Sequence, residues 1–102
     1  MTPELKARFE KEISEHKIVL YMKGNALFPQ CGFSAAALEL LKPLGLVHTV
    51  DVLSAPELRD GIKAFSNWPT IPQVYIKGQF VGGSDIVRQL AASGELAKLA
   101  AE

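Results

Sequence analysis

Cysteine is nearly absent from this chain: Cys31 is the single one among 102 residues. An intrachain disulfide is thereby excluded, and the composition fits a reducing compartment. Net charge is missing as well. Eleven basic and eleven acidic residues cancel, which removes any global electrostatic case for nucleic acid or an anionic membrane as a partner. There is no long apolar run; the stretch from Ile18 to Met22 is far too short to cross a bilayer. The opening Met1-Thr2-Pro3-Glu4-Leu5 is polar and mixed in charge, unlike a secretory signal, and lacks the Arg-rich, acid-poor look of an organelle transit peptide. The expectation is a cytoplasmic protein, or an already processed organellar form. Repeats, linkers and low-complexity stretches are missing too. The two histidines, His16 and His48, form no partner pattern with Cys31 that suggests a catalytic dyad or a zinc site, and both read as structural or solvated.

What remains is an ordinary globular composition, 48% hydrophobic and 22% charged, in a length that suits one domain over residues 1–102. Leu5, Phe9 and Ile13 recur every four residues, which predicts a helix from about Pro3 to Glu15 with Thr2 and Pro3 as cap and first turn. Lys17 to Met22 reads as a strand and Gly24 to Gln30 as a loop. A second helix is expected just after Cys31, carrying Phe33, Ala37, Leu38 and Leu41 inward and stopping before Pro43 and Gly45. Leu46 to Val52 is the next strand. Ser54-Ala55-Pro56-Glu57 has capping-box spacing ahead of a third helix with Leu58, Ile62 and Phe65 on its apolar stripe. Gln73 to Lys77 and Gln79 to Val81 form a hairpin turning at Gly78. Ser84 or Asp85 then caps a fourth helix carrying Ile86, Val87 and Leu90, and Ser93-Gly94 separates a short fifth. The order is α-β-α-β-α-β-β-α-α. A parallel pair plus an antiparallel hairpin predicts an α/β fold, a four-stranded mixed sheet flanked by about five helices.

The chemistry-bearing residues gather in four places. Cys31-Gly32-Phe33-Ser34 looks like a C-x-x-C redox motif whose second sulfur has become a hydroxyl, so any release step at Cys31 needs a thiol from outside the chain. A buried structural cysteine is the alternative, since free Cys is among the most buried residue types. At a helix start, unpaired N–H groups and the helix dipole favour thiolate. Lys23 adds positive charge if the loop folds back; otherwise it is a solvated lysine at a strand end. Pro72, at the entry to a strand, is a candidate for a cis bond that would expose the preceding backbone of Ile71 to a ligand, the plain trans turn being the commoner arrangement. Gly82-Gly83-Ser84-Asp85 permits close backbone approach at a helix start, where anionic groups bind, or is a simple strand-to-helix turn. Arg59 alone reads as a surface arginine and Trp68 as a packing residue.

Lys23-Gly24, Cys31-Gly32-Phe33-Ser34, Asn67-Trp68-Pro69-Thr70-Ile71-Pro72 and Gly82-Gly83-Ser84-Asp85-Ile86, in that order, resemble the signature blocks of monothiol glutaredoxins of the CGFS class. The resemblance covers essentially the whole chain and implies a thioredoxin-like fold with a glutathione site. It implies Cys31 as the redox and cluster-binding thiol, with Lys23 beside it. Arg59 would help hold the glutathione glycine carboxylate, and Ile71, ahead of a cis Pro72, would pair its backbone with the glutathione cysteine. Ser84 and Asp85 would hold the γ-glutamyl end. The chain departs from the pattern once: many members carry a second cysteine where Ser84 stands, so switching by an internal disulfide is closed here.

The resemblance further implies a glutathione-ligated [2Fe–2S] cluster shared across a homodimer. Such a cluster takes four thiolates; two chains supply two and two glutathiones fill the deficit. Half-exchangeable ligation suits a carrier that passes clusters to apo iron–sulfur proteins, and the family also pairs with BolA-type proteins. The alternative activity is glutathione-dependent thiol–disulfide exchange through Cys31, weak in members of this class. An adaptor acting without Cys31 is the third reading.

Overall fold

A computed structural model describes residues 1–101. Helix α1 spans Pro3–Glu15. The Leu5 N–H donates to the Thr2 hydroxyl at 3.1 Å, and Pro3 occupies the first turn, where an N–H would have no helical partner. Strand β1 (Ile18–Met22) is buried at all five positions. A strand that is apolar throughout needs cover on both faces and both edges, and it receives them. Helix α2 (Gly32–Leu41), a short 3-10 turn (Lys42–Leu44) and β2 (His48–Asp51) follow. Helix α3 (Pro56–Ser66), the hairpin β3 (Gln73–Ile76) and β4 (Gln79–Gly82), then α4 (Ser84–Ser93) and α5 (Glu95–Ala100) complete the chain.

The four strands form one sheet in the order β2-β1-β3-β4. β1 runs parallel to β2, with Val19 opposite His48, and antiparallel to β3, with Leu20 opposite Val74. Successive side chains on β1 alternate between faces. Ile18, Leu20 and Met22 therefore pack with Ala37, Leu38, Leu41, Val87 and Leu96 on one side. Val19 and Tyr21 pack with Phe9, Ile13, Leu58 and Ile62 on the other. Phe9 is the hub of that second layer: its ring lies 5.6 Å from Tyr21, edge-on, and 5.5 Å from Phe65.

Four expectations need correction. Strand β2 is shorter than Leu46 to Val52, because the 3-10 turn delivers the chain to Gly45 and pairing with β1 begins only at His48; Leu46 is 96% exposed. Phe33 does not face inward: it is 61% exposed, and buried Ser34 takes the inward position beside it. Ser54 closes no capping box. It donates its hydroxyl back to the Asp51 carbonyl at 2.8 Å, and α3 starts after Ala55 with no side-chain cap. Neither Ser84 nor Asp85 caps α4, whose N-cap is Gly83; both lie within the first turn. The hairpin turn is tight, with Lys77 at φ 51° and Gly78 at φ 80°, the pair of positive values that a type I′ turn requires.

Replacing Phe9 with Ala removes the hub of the α1–α3 layer. The unfolding free energy is expected to fall by about 3–5 kcal/mol, seen in urea titration as a lower midpoint at unchanged slope.

Candidate functional site

Ala37, Leu38 and Leu41 bury one side of α2 against β1, which fixes the start of that helix beyond the carboxyl end of the strand. Cys31 is the N-cap residue, extended at φ −149° and ψ 132°, half-buried, and free of any disulfide. The Ser34 backbone N–H beside the sulfur is the main influence holding the thiol below its ordinary range; the Phe33 N–H, the Ser34 hydroxyl and the Lys23 charge add to it, while burial opposes. The residue standing where a second sulfur would be is therefore not idle. Ser34 is fully buried, and its Oγ accepts the Lys23 backbone N–H at 3.1 Å, tying the end of β1 to the first turn of α2.

The loop between them is held by side-chain oxygens. Asn25 Oδ1 accepts the N–H groups of Leu27 and Phe28 at 3.0 and 2.8 Å. Gln30 N–H donates to the Lys23 carbonyl at 2.9 Å. Gly24 has φ 86°, and a Cβ there would lie 2.5 Å from the Phe28 carbonyl oxygen, so the close turn requires glycine. Asp51, at the end of β2, accepts from Gly24 N–H at 3.0 Å and from Leu53 N–H at 2.8 Å on one carboxylate oxygen. It thereby fastens the Lys23–Cys31 loop to the start of the β2–α3 connection. The ordered loop presents Leu27 and Phe28 outward, 83% and 69% exposed.

On the other side of Phe33 lies a groove of about 240 Å³ bounded by Trp68, Thr70, Ile71, Pro72, Ser84, Asp85 and Ile86. The Ile71–Pro72 peptide is cis. Gly83 sits so close to this loop that a Cβ would lie 3.3 Å from both the Pro72 carbonyl oxygen and Trp68 Nε1. Ser84 and Asp85 open α4, where the helix leaves backbone N–H groups without intrahelical partners. The Asp85 carboxylate is exposed and accepts from Arg88 at 2.8 Å, a surface pair of little energetic weight. Trp68 packs on Phe80 at 5.6 Å as a core residue would, and it also walls the groove.

The structure thus gathers Ile71, Ser84 and Asp85 in one groove and sets Lys23 beside Cys31, with Phe33 between the two sets. Arg59 stands apart. It lies on α3 with its Nε 3.7 Å from Asp60, lining a separate depression with Val52, Leu53 and Pro56. Sequence reading passed over Asp51 and Gln73. A strand-ending Asp followed two residues later by the N–H it binds, and a lone polar side chain opening the apolar run Val74-Tyr75-Ile76, are the signals that mark them. Among the described residues, no three His, Cys, Asp or Glu side chains group to hold a metal ion. The donor set is one thiol per chain.

Fold and site together define a thioredoxin-like protein with a single activated cysteine at a helix start. The glutaredoxin family matches residues 18–81. The chain is 51% identical to a ycf64-like monothiol glutaredoxin of Synechocystis sp., over 97% of this chain and 94% of that one. It is 45% identical to the mitochondrial monothiol glutaredoxin-5 of Saccharomyces cerevisiae, over 100% of this chain and 71% of that one. The solution structure of reduced poplar apo GrxS14 matches with a TM-score of 0.85 at 47% identity, covering 95% of this chain and 90% of that chain. The chain belongs to the glutaredoxin family, among its monothiol members. Relatives include mitochondrial and chloroplastic proteins, so kinship does not single out the cytoplasm expected from composition. No helix among the described residues is long and apolar enough to cross a membrane.

Two measurements test this geometry. The rate of Cys31 alkylation against pH should rise with a midpoint below that of a free thiol, about 8.5, and Lys23→Gln should move the midpoint upward. Asp51→Ala removes the shared acceptor of Gly24 and Leu53; a loss of about 1–3 kcal/mol and faster amide exchange at both residues are expected.

Proposed function

We propose that the protein carries a [2Fe–2S] cluster, its cargo, between two copies of the chain and delivers it to apo iron–sulfur proteins. One observation carries the reading: a partly exposed, thiolate-favouring Cys31 is the chain's sole thiol and lies beside a groove suited to a small peptide. One thiolate per chain is too few for a cluster needing four. A homodimer with two glutathiones completes the set. In this reading Ile71 pairs its backbone with the glutathione cysteine, the α4 N–H groups at Ser84 and Asp85 take the γ-glutamyl carboxylate, and the Asp85 carboxylate faces the ammonium. Lys23 attracts the glycine carboxylate, and Arg59, on its separate depression, adds its charge from farther off. Glutathione carries two carboxylates and one ammonium, so cations at one end and Asp85 at the other fix its direction. The exposed apolar side chains of Leu27, Phe28 and Phe33, all within four residues of Cys31, suit contact with a second subunit or a BolA-type partner.

The lowered thiol pKa also favours a second reading, glutathione-dependent exchange. The Cys31 thiolate would attack the glutathione sulfur of a mixed disulfide and release the client thiol. A second glutathione would then attack the resulting Cys31–glutathione disulfide, freeing Cys31 and leaving glutathione disulfide. Ser34 takes no part in that step, since its hydroxyl cannot replace a resolving thiol.

Anaerobic reconstitution with iron, sulfide and glutathione separates the two. The carrier reading expects a [2Fe–2S] chromophore that appears with a dimer in sedimentation and is lost in Cys31→Ser or without glutathione. A stable cluster in either of those cases overturns the carrier reading, whereas a colourless monomer with robust turnover in a coupled glutathione-reductase assay transfers the function to thiol exchange.

A further inference from the structure

The groove wall formed by Trp68 and Thr70 raises a question of support. The segment Trp68-Pro69-Thr70-Ile71-Pro72 contains two prolines, which have no N–H to donate. The Trp68 N–H is already turned back into α3, donating to the Lys63 carbonyl at 3.2 Å. Among the described residues, no backbone N–H reaches the carbonyls of Trp68 or Thr70. Both are instead taken by one side chain. Gln73 Nε2 donates to the Trp68 carbonyl at 3.1 Å and to the Thr70 carbonyl at 3.2 Å.

Gln73 is the first residue of β3 and is fully buried. Its two amide hydrogens match the two carbonyls, while its Oε1 is buried without a partner. An unpaired buried carbonyl is costly. A methionine would fill similar space without that cost, so filling the core does not account for an amide here. Holding the loop does.

We propose that Gln73 is a positioning residue for the glutathione groove, acting through the backbone of residues 68–71 and touching no ligand itself; this rests on the glutathione reading given above. The side chain substitutes for the turn hydrogen bonds that Pro69 and Pro72 cannot make. It fixes the wall at Trp68 and Thr70, and with it the backbone of Ile71 between Thr70 and Pro72.

The test compares wild type with Gln73→Met, similar in size but without donors, and Gln73→Glu, similar in shape but presenting carboxylate oxygens to both carbonyls. Reduced glutathione binding is measured by calorimetry. The Trp68 indole and the Thr70 and Ile71 amides are followed by NMR, with β1 and β3 amide exchange as the control for the sheet. The proposal expects about a tenfold weaker affinity in Gln73→Met, for two hydrogen bonds lost, and at least as large a loss in Gln73→Glu. It also expects shifted or broadened signals from residues 68–71 with sheet protection retained. A Gln73→Met protein that binds glutathione within twofold of wild type, or whose 68–71 signals are unmoved, overturns it. So does a loss of protection spread evenly through the sheet with affinity intact, the pattern of a purely structural residue. Should Gln73→Met not fold, Gln73→Asn, an amide one methylene shorter, carries the same comparison. If wild type itself binds no glutathione, the reading of the groove falls, and the 68–71 signals alone decide the role of Gln73.

Discussion

Strand β1 bonds to a parallel neighbour on one edge and an antiparallel neighbour on the other, and helices cover both of its faces. That double burial sets the layering of the molecule. A strand with Ile18, Leu20 and Met22 on one side and Val19 and Tyr21 on the other has no face to leave in water, so α2, α4 and α5 close one side while α1 and α3 close the other. The parallel partner demands a crossover, and α2 is that crossover. Its start, and Cys31 with it, must then lie beyond the carboxyl end of β1. The place of the reactive sulfur follows from the pairing of the sheet.

Around that point the chain is irregular, and side chains replace the missing backbone ladder. Ser34 fastens Lys23 to α2 and Asp51 fastens Gly24 to the β2 end, while Gln73 fastens the Trp68–Thr70 turn to β3. Each uses a short polar group, buried or half-buried, to satisfy backbone atoms that would otherwise be desolvated without a partner. A site on loops is thereby given a fixed geometry before anything binds. The outward-facing Leu27, Phe28 and Phe33 are the counterpart of this rigidity: ordered loops can hold apolar side chains in solvent for another surface to cover.

The regular elements could be read from the sequence because their signals are local. The four-residue recurrence of Leu5, Phe9 and Ile13, the apolar run of β1 and the turn at Gly78 each reflect a short-range preference, and all reappear in the fold. The errors fell at boundaries, where distant pairing or packing decides. Leu46 is apolar enough for a strand, yet β2 can extend only as far as β1 offers a partner. Phe33 fits a helical stripe by type, but one position on, Ser34 turns in to meet the Lys23 amide and leaves the ring outside. Ser54 has cap spacing and spends its hydroxyl on the Asp51 carbonyl instead.

The sequence by itself determined the element order, the choice of one thiol, and the four motif blocks that place the chain among monothiol glutaredoxins. Those are matters of residue identity and near spacing, which a linear string records. Tertiary structure decided which blocks meet. It set Ile71, Ser84 and Asp85 around one groove and Lys23 beside Cys31, kept Arg59 on a separate depression, and gave Asp51 and Gln73 their tasks. The carboxylate of Asp51 finds Gly24 from 27 residues away, and no local preference encodes a contact of that span. It exists only once β1 and β2 are paired, which is why the residues that hold the site together are marked in the sequence only by faint local signals, while those that line it stand in recognisable motifs.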